Sequence, residues 1–257
     1  MRGTDMAEPI RVAVLGRDGR MGSEAVRTVD AAPDLELVAA LGRGDGLEQL
    51  LEARAEVVVD LTVPAATREN VRFAVSHGLH AVVGTTGWDR AALDELEAQL
   101  AESPATGVLI APNFAVGAVL AMKFSELAAR FFDSVEVVEL HHPRKLDAPS
   151  GTAARTAALV AAARQRAGVG ASPDATESDP HGARGAVVDG VHVHSVRLQG
   201  LVAHQETLLG NTGEQLTVRH DSFDRASFMT GVLLGIRRVA EHPGLTHGLD
   251  GYMDLGL

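Results

Sequence analysis

Apolar residues recur along the chain in two rhythms, and the rhythm changes near the middle. Ile10–Gly16 (IRVAVLG) is an apolar run interrupted only at Arg11 and ending in glycine, as expected of a strand buried on both faces. RMGSEAVRTVDAAP follows with helical spacing and stops near Pro33. Runs of the first kind return at Leu35–Gly42, Glu56–Thr62, His80–Gly87 and Gly107–Phe114, the last two carrying loops at their ends. Helical stretches separate the later ones: one opens at Pro64 and runs to about His77, and an amphipathic one has Asp89 as its cap. Strand and helix alternating in this way predict right-handed βαβ units, an α/β fold with a Rossmann-like, doubly wound parallel sheet.

After Phe114 the pattern changes. AVGAVLAMKFSELAARFF reads as a long helix, VEVVELHH as a strand, and Ala153 to about Gln165 as a helix. RAGVGASPDATESDPHGARG has no apolar period and reads as a long mobile loop. Strand-like runs with Gly and Asn-Thr-Gly turns fill Val187 to Asp221, Asp224–His242 reads as a final helix, and the remainder as a short tail. The expected organisation is a dinucleotide-binding domain from residues 1–114 plus 222–257, and a second α+β domain for substrate binding and oligomerisation at 115–221.

Composition narrows the function classes. The chain of 257 residues is 46% hydrophobic and 22% charged, ordinary for a globular protein. A net charge of −11 gives no support to a nucleic-acid partner. The absence of cysteine excludes disulfides and thiolate chemistry and fits a reducing compartment. Met1–Pro9 is polar and expected to be disordered, with Met6 as an alternative start. The N-terminal stretch holds no apolar run suited to a signal peptide or membrane span, so no membrane partner and a cytoplasmic location are expected.

Candidate chemistry collects where strands end. GRDGRMG (Gly16–Gly22) follows the first strand and opens the first helix, where glycines admit a pyrophosphate and helix amides point at it. A tight turn without a ligand is the competing reading. Asp18 is an awkward neighbour for a phosphate, and Arg17 and Arg20 could offset it. At the end of the second strand, Gly42 occupies the place of the acid that binds a ribose hydroxyl, and Arg43 follows. That favours NADPH over NADH, against a merely solvated loop arginine. GTTG (Gly84–Gly87) and APNF (Ala111–Phe114) end the fourth and fifth strands, where a nicotinamide should lie.

ELHHPRKLDAPSGTA holds the densest chemistry. Gly151 and Thr152 precede a helix and can offer amides and a hydroxyl to a carboxylate, and Lys145 adds charge and a transferable proton. His141 and His142 are adjacent, so on a strand they face opposite sides. A single histidine is more often a core or surface residue; the cluster favours function. His192 and His194 form an H-x-H on one strand face, but no third ligand pattern follows, so no metal site is expected.

The ordered set GRDGRMG, DLTVP, GTTG, APNF and ELHHPRKLDAPSGTAARTA resembles the dihydrodipicolinate reductase family of the lysine and diaminopimelate pathway, over nearly the whole chain. The resemblance implies reduction of a cyclic dicarboxylate, 4-hydroxy-tetrahydrodipicolinate, with hydride from NADPH or NADH, by homotetramers built through the C-terminal sheet. It implies His141 as proton donor and acceptor, Lys145 as proton donor, and His142, Gly151 and Thr152 as substrate-binding residues. It also implies cofactor contacts from Gly16, Arg17, Asp18, Gly19, Arg20, Met21, Arg43, Gly84, Thr85, Thr86, Ala111, Pro112, Asn113 and Phe114. Leu61 stands where the family usually has phenylalanine, and Arg17 where it often has alanine. Two other readings share these features: an amino-acid dehydrogenase of similar build, which the H-H-x-x-K-x-D-A-P-S-G-T element argues against, and a non-catalytic nucleotide sensor, which has no need of both His141 and Lys145.

Overall fold

A computed structural model describes residues 8–256. The disorder expected of Met1–Pro9, and Met6 as a start, fall outside the described residues except at Glu8 and Pro9. The chain forms two compact units, one comprising the segment up to Phe114 together with Phe228 onward, the other Ala115–Ser227.

In the first unit β1 (Ile10–Leu15), α1 (Arg20–Asp30), β2 (Leu35–Leu41), α2 (Glu48–Glu52), β3 (Val57–Asp60), α3 (Pro64–Ser76), β4 (His80–Val83), α4 (Arg90–Glu102) and β5 (Gly107–Ile110) follow in order. All five strands are parallel, with β1 lying between β2 and β3. Helices cover the sheet, so its strands bury wholly: every residue of β3 is 2% exposed or less. Val71 and Val75 of α3 and Leu96 and Leu100 of α4 pack with Ala13, Val58 and Val83 on one face. Asp89 caps α4, its side chain accepting from Ala92 N at 2.9 Å. α2 has no counterpart in the apolar pattern: five residues are too few for periodicity to register, although Leu50 within it is fully buried.

The second unit contains α5 (Val116–Ala129), β6 (Ser134–His141), α6 (Gly151–Arg166), β7 (Ala186–Val188), β8 (Val191–Arg197), β9 (Ala203–Asn211) and β10 (Glu214–Ser222). Its mixed sheet has the order β10-β9-β6-β8-β7, with β6 and β8 parallel and the other pairs antiparallel. Val135 and Val137 of β6, Val191 and Val193 of β8 and Leu209 of β9 pack with Ala153, Ala157 and Val160 of α6. The segment between α6 and β7 has no helix or strand, as its composition predicts, but it is tied down. Arg184 pairs with Glu136 and Asp174, Ser172 Oγ accepts from Val135 N at 3.1 Å, and Gly170 O accepts from Arg164 at 2.7 Å.

The chain then returns to the first unit, and here the expectation of one helix and a loose tail is corrected. Residues Arg225–Phe228 and Val239–Glu241 are 3-10 turns flanking α7 (Met229–Arg238). Beyond them β11 (Gly244–His247) pairs in parallel with β5, and a 3-10 turn follows at Leu249–Tyr252. The parallel sheet therefore has six strands, β11-β5-β4-β3-β1-β2. GLTH escapes a pattern search because four residues with one large apolar side chain have no rhythm. Among the described residues, no helix is long and apolar enough to cross a membrane.

Tyr252 shows that this end belongs to the core: it is 2% exposed and stacks on His242 with ring centroids 4.5 Å apart. Tyr252→Ala should lower the unfolding free energy by about 3 kcal/mol or more, as measured by urea denaturation. A loss below about 1 kcal/mol would mean that the terminal segment packs as the tail its sequence suggests.

Candidate active site

Three turns at the carboxyl ends of β1, β2 and β3 wall an open cleft of about 890 Å³. Gly16, Asp18 and Gly19 come from the first turn, Gly42, Arg43 and Asp45 from the second, and Leu61 and Thr62 from the third. Strand order reverses around β1, and this crevice is where open α/β sheets take ligands. Glycines shape the first turn. Gly16 has φ +93°, and a Cβ at Gly22 would lie 1.9 Å from Gly16 O. α1 therefore starts hard against the turn and brings its positive end there.

The cationic side chains expected here are divided. Arg43 is exposed and lines the cleft. Arg17 does not: it donates to Ala40 O at 2.6 Å and pairs with Asp45 at 3.0 Å, while Asp45 also accepts from Gly42 N at 2.8 Å. Its charge is shared between Asp45 at the end of β2 and Asp18, whose Oδ1 lies 3.7 Å from Arg17 Nε. Arg20 and Met21 begin α1 and are not part of the cleft wall.

A residue that sequence reasoning passed over organises the neighbouring turns. Asp60, 1% exposed at the end of β3, accepts from Thr62 N at 2.9 Å, Thr62 Oγ1 at 2.6 Å, Asn70 Nδ2 at 2.9 Å and Thr85 Oγ1 at 3.0 Å. Gly84 lies so close to Leu61 and Phe114 that a Cβ would stand 2.7 and 2.9 Å from their side chains. The structure thus gathers Gly84, Thr85 and Phe114 at one sheet edge, outside the cleft wall. Ala111 and Phe114 are buried, whereas Thr86 and Pro112 are exposed and Asn113 half-buried.

In the second unit β6 alternates inward at Val135, Val137 and Glu139, with His141 next on that face. Glu139 is fully buried. His141 Nδ1 lies 2.5 Å from Glu139 Oε2, Arg197 on β8 donates to both Glu139 oxygens at 2.7 and 2.8 Å, and Ser150 N donates to Oε1 at 3.2 Å. Burial pushes the Glu139 carboxyl up, but hydrogen bonds from Arg197, Ser195 and His141 outweigh it and hold the carboxyl below its usual range. Burial also lowers His141; Glu139 pulls it up, Lys145 and Arg197 push it down, and it ends below the ordinary histidine value.

The loop after β6 contains the cis Ala148–Pro149 bond and ends at Ser150, which caps α6 by accepting from Ala153 N at 3.2 Å. Asp147 on this loop accepts from Lys145 Nζ at 2.7 Å and from Gly151 N at 3.3 Å. Lys145 and the amide end of α6 therefore converge on a single carboxylate. The Lys145 pairing holds the Asp147 carboxyl below its usual range. His142 Nδ1 is buried without a hydrogen-bond partner among the described residues, an unmet demand of the kind a ligand oxygen satisfies. Thr152 is half-buried in the first turn of α6.

His192 and His194 prove to be loop anchors. His194 pairs with Glu136 at 2.7 Å, and His192 approaches Arg184 O at 2.7 Å and Asp174 at 3.5 Å. Among the described residues, no group of three or more His, Cys, Asp or Glu side chains could hold a metal ion.

Family models described as dihydrodipicolinate reductase, N-terminus, and dihydrodipicolinate reductase, C-terminus, match residues 10–114 and 117–253. The 4-hydroxy-tetrahydrodipicolinate reductase of Streptomyces griseus is 65% identical over 96% of this chain and 98% of its own. That of Nocardia farcinica is 65% identical over 96% and 99%. A dipicolinate-bound dihydrodipicolinate reductase from Paenisporosarcina superposes with a TM-score of 0.87 at 40% identity, covering 95% of this chain and all of that one. A myo-inositol 2-dehydrogenase from Lactobacillus plantarum, at 12% identity and TM-score 0.58 over 95% and 93% of the two chains, shares the fold alone.

Asp60→Ala would leave Thr62, Asn70 and Thr85 without their acceptor. A loss of about 2 kcal/mol or more in folding stability is expected, with weaker nucleotide binding, read by urea denaturation and a fluorescence titration. Parental stability and affinity would show that the turns are held by other contacts.

Proposed function

The chain belongs to the dihydrodipicolinate reductase family, and from that premise we propose how its residues carry out the reaction. The reaction is the nicotinamide-dependent reduction of 4-hydroxy-tetrahydrodipicolinate, a step we place in lysine and diaminopimelate biosynthesis. The first unit fits the cofactor: a turn that tolerates no Cβ at Gly22 and a helix start behind it form a cradle for a pyrophosphate. When bound, the nicotinamide supplies the hydride. With the cofactor bound, Gly16, Asp18 and Gly19 of the cleft wall would lie along its phosphates, and the Gly84–Thr86 and Ala111–Phe114 turns would offer backbone groups to the nicotinamide end. We assign NADPH as the preferred form, with Arg43 taking its 2′-phosphate; support comes from the exposed guanidinium in the cleft wall and from Gly42 where an acid would stand.

The observation that carries the substrate assignment is the carboxylate of Asp147, shared by Lys145 Nζ and Gly151 N. A group placed like that side chain is what a carboxylate of the substrate presents. Lys145, His142 and the amides of Gly151 and Thr152 hold the dianion, and the unmet demand of His142 Nδ1 supports its part. Once hydride has been added, an enamine-like carbon needs a proton. His141 delivers it, with Lys145 as a second donor that recharges the site. Val196, Leu198 and Leu216, exposed on or beside β8 and β10, support assembly through the five-stranded sheet, and we expect a cytoplasmic homotetramer.

His141→Gln and Lys145→Ala should each lower kcat by about 10²-fold or more with the fold intact, in a NADPH-oxidation assay with substrate generated in place by the preceding synthase. Parental rates from either folded variant would remove that residue from the reaction. Arg43→Ala should raise the KM for NADPH by about tenfold and leave that for NADH unchanged, since one charge-assisted contact to phosphate is lost. Equal effects on both cofactors would discard the NADPH preference.

A further inference from the structure

Glu139 is a fully buried ionisable group to which the proposed reaction assigns no part. It occupies a β6 position whose alternation calls for an apolar side chain, between Val137 and His141 on the inward face. A carboxylate there is costly unless donors surround it, so packing alone would favour valine or leucine. The donors present are Arg197 through two bonds, the Ser195 side chain, Ser150 N and the His141 ring. Arg197 keeps the carboxylate ionised, and an ionised carboxylate only accepts. The hydrogen between it and His141 therefore belongs to Nδ1, and the nitrogen left to exchange protons is Nε2.

We infer that Glu139 is the positioning residue of this site: it fixes His141 as the Nδ1–H tautomer with Nε2 as the working nitrogen, and through Ser150 N it locks the imidazole to the amide end of α6. One carboxylate thus sets the proton carrier and the carboxylate-binding amides in a single frame. The inference rests on His141 as the proton carrier. Register supports it, because β8 pairs in parallel with β6 so that Ser195 stands opposite Glu139 and Arg197 opposite His141. Arg197 also donates to Asp147 O at 2.7 Å, joining the Lys145 loop to the same frame. The charged groups facing His141 are Glu139 on β6, Arg197 on β8 and Lys145 on the loop, the last paired with Asp147. Its β9 partner Ala203 and the α6 cap Ser150 carry no charge. Glu139 is the one among these that pulls the His141 pKa upward, so removing its charge moves the titration of His141 to lower pH.

The direct test is nitrogen-15 NMR of the full-length protein labelled at histidine, with the His141 signal identified by its loss in His141→Gln. A neutral His141 protonated at Nδ1 is expected; a neutral ring protonated at Nε2 would overturn the inference. Kinetics give the second reading. Glu139→Gln should lower kcat by about 10²-fold and shift the His141 limb of the pH profile toward acid, while the nucleotide Kd stays at the parental value. A folded E139Q protein with parental kcat and an unmoved limb would also overturn it, and if that protein does not fold, the tautomer in the parent decides alone. If His141→Gln keeps parental turnover, the role of His141 as proton carrier fails separately, and the tautomer still decides whether Glu139 holds the ring.

Discussion

A fully buried carboxylate survives only where enough hydrogen-bond donors reach it, and β6, β8 and the start of α6 together meet that condition for Glu139. Its donors come from three elements that are distant in the chain. His141 follows on the same strand, Ser150 opens α6, and Arg197 ends β8. The parallel register of β6 and β8 is what brings Arg197 opposite His141. A slip of one residue would turn Arg197 to the other face of the sheet and leave the carboxylate with too few partners. Sheet pairing, helix cap and the loop after β6 are thereby mutually dependent.

The first unit solves a similar problem at the end of β3. Asp60 gathers hydroxyls and an amide from Thr62, Asn70 and Thr85, and so ties the turn after β4 to the turn after β3. In both units a buried carboxylate at or near a strand end takes up donors from separate elements and fixes the neighbouring loops. The glycines at positions 16 and 22 complete the arrangement by letting α1 start against β1.

The sequence showed the alternation of the first unit because βαβ units write long, repeated rhythms, and it singled out the candidate-site segment because His141, His142, Lys145, Gly151 and Thr152 lie within twelve residues. It hid what is short or assembled across the chain. α2 and β11 carry too few residues to register a period. Glu139 had left a trace, an acid at an apolar position two before a histidine, but its partner Arg197 stands 58 residues away and only the register of β8 finds it. Arg17 shows the same limit: its bond to Ala40 O and its pair with Asp45 come from the proximity of β1 and β2, which neighbours in sequence do not display.

The proposed reaction divides the reduction between a hydride from a bound nicotinamide cofactor and a proton from residues of the second unit. Following an isotope tests that division most directly. With NADPH deuterated on one face of nicotinamide C4, and with the opposite face labelled in a parallel reaction, mass spectrometry of the product should show one deuterium transferred from one of the two cofactors and none from the other. Product without deuterium from either labelled cofactor would contradict the account, because the hydride would then come from elsewhere.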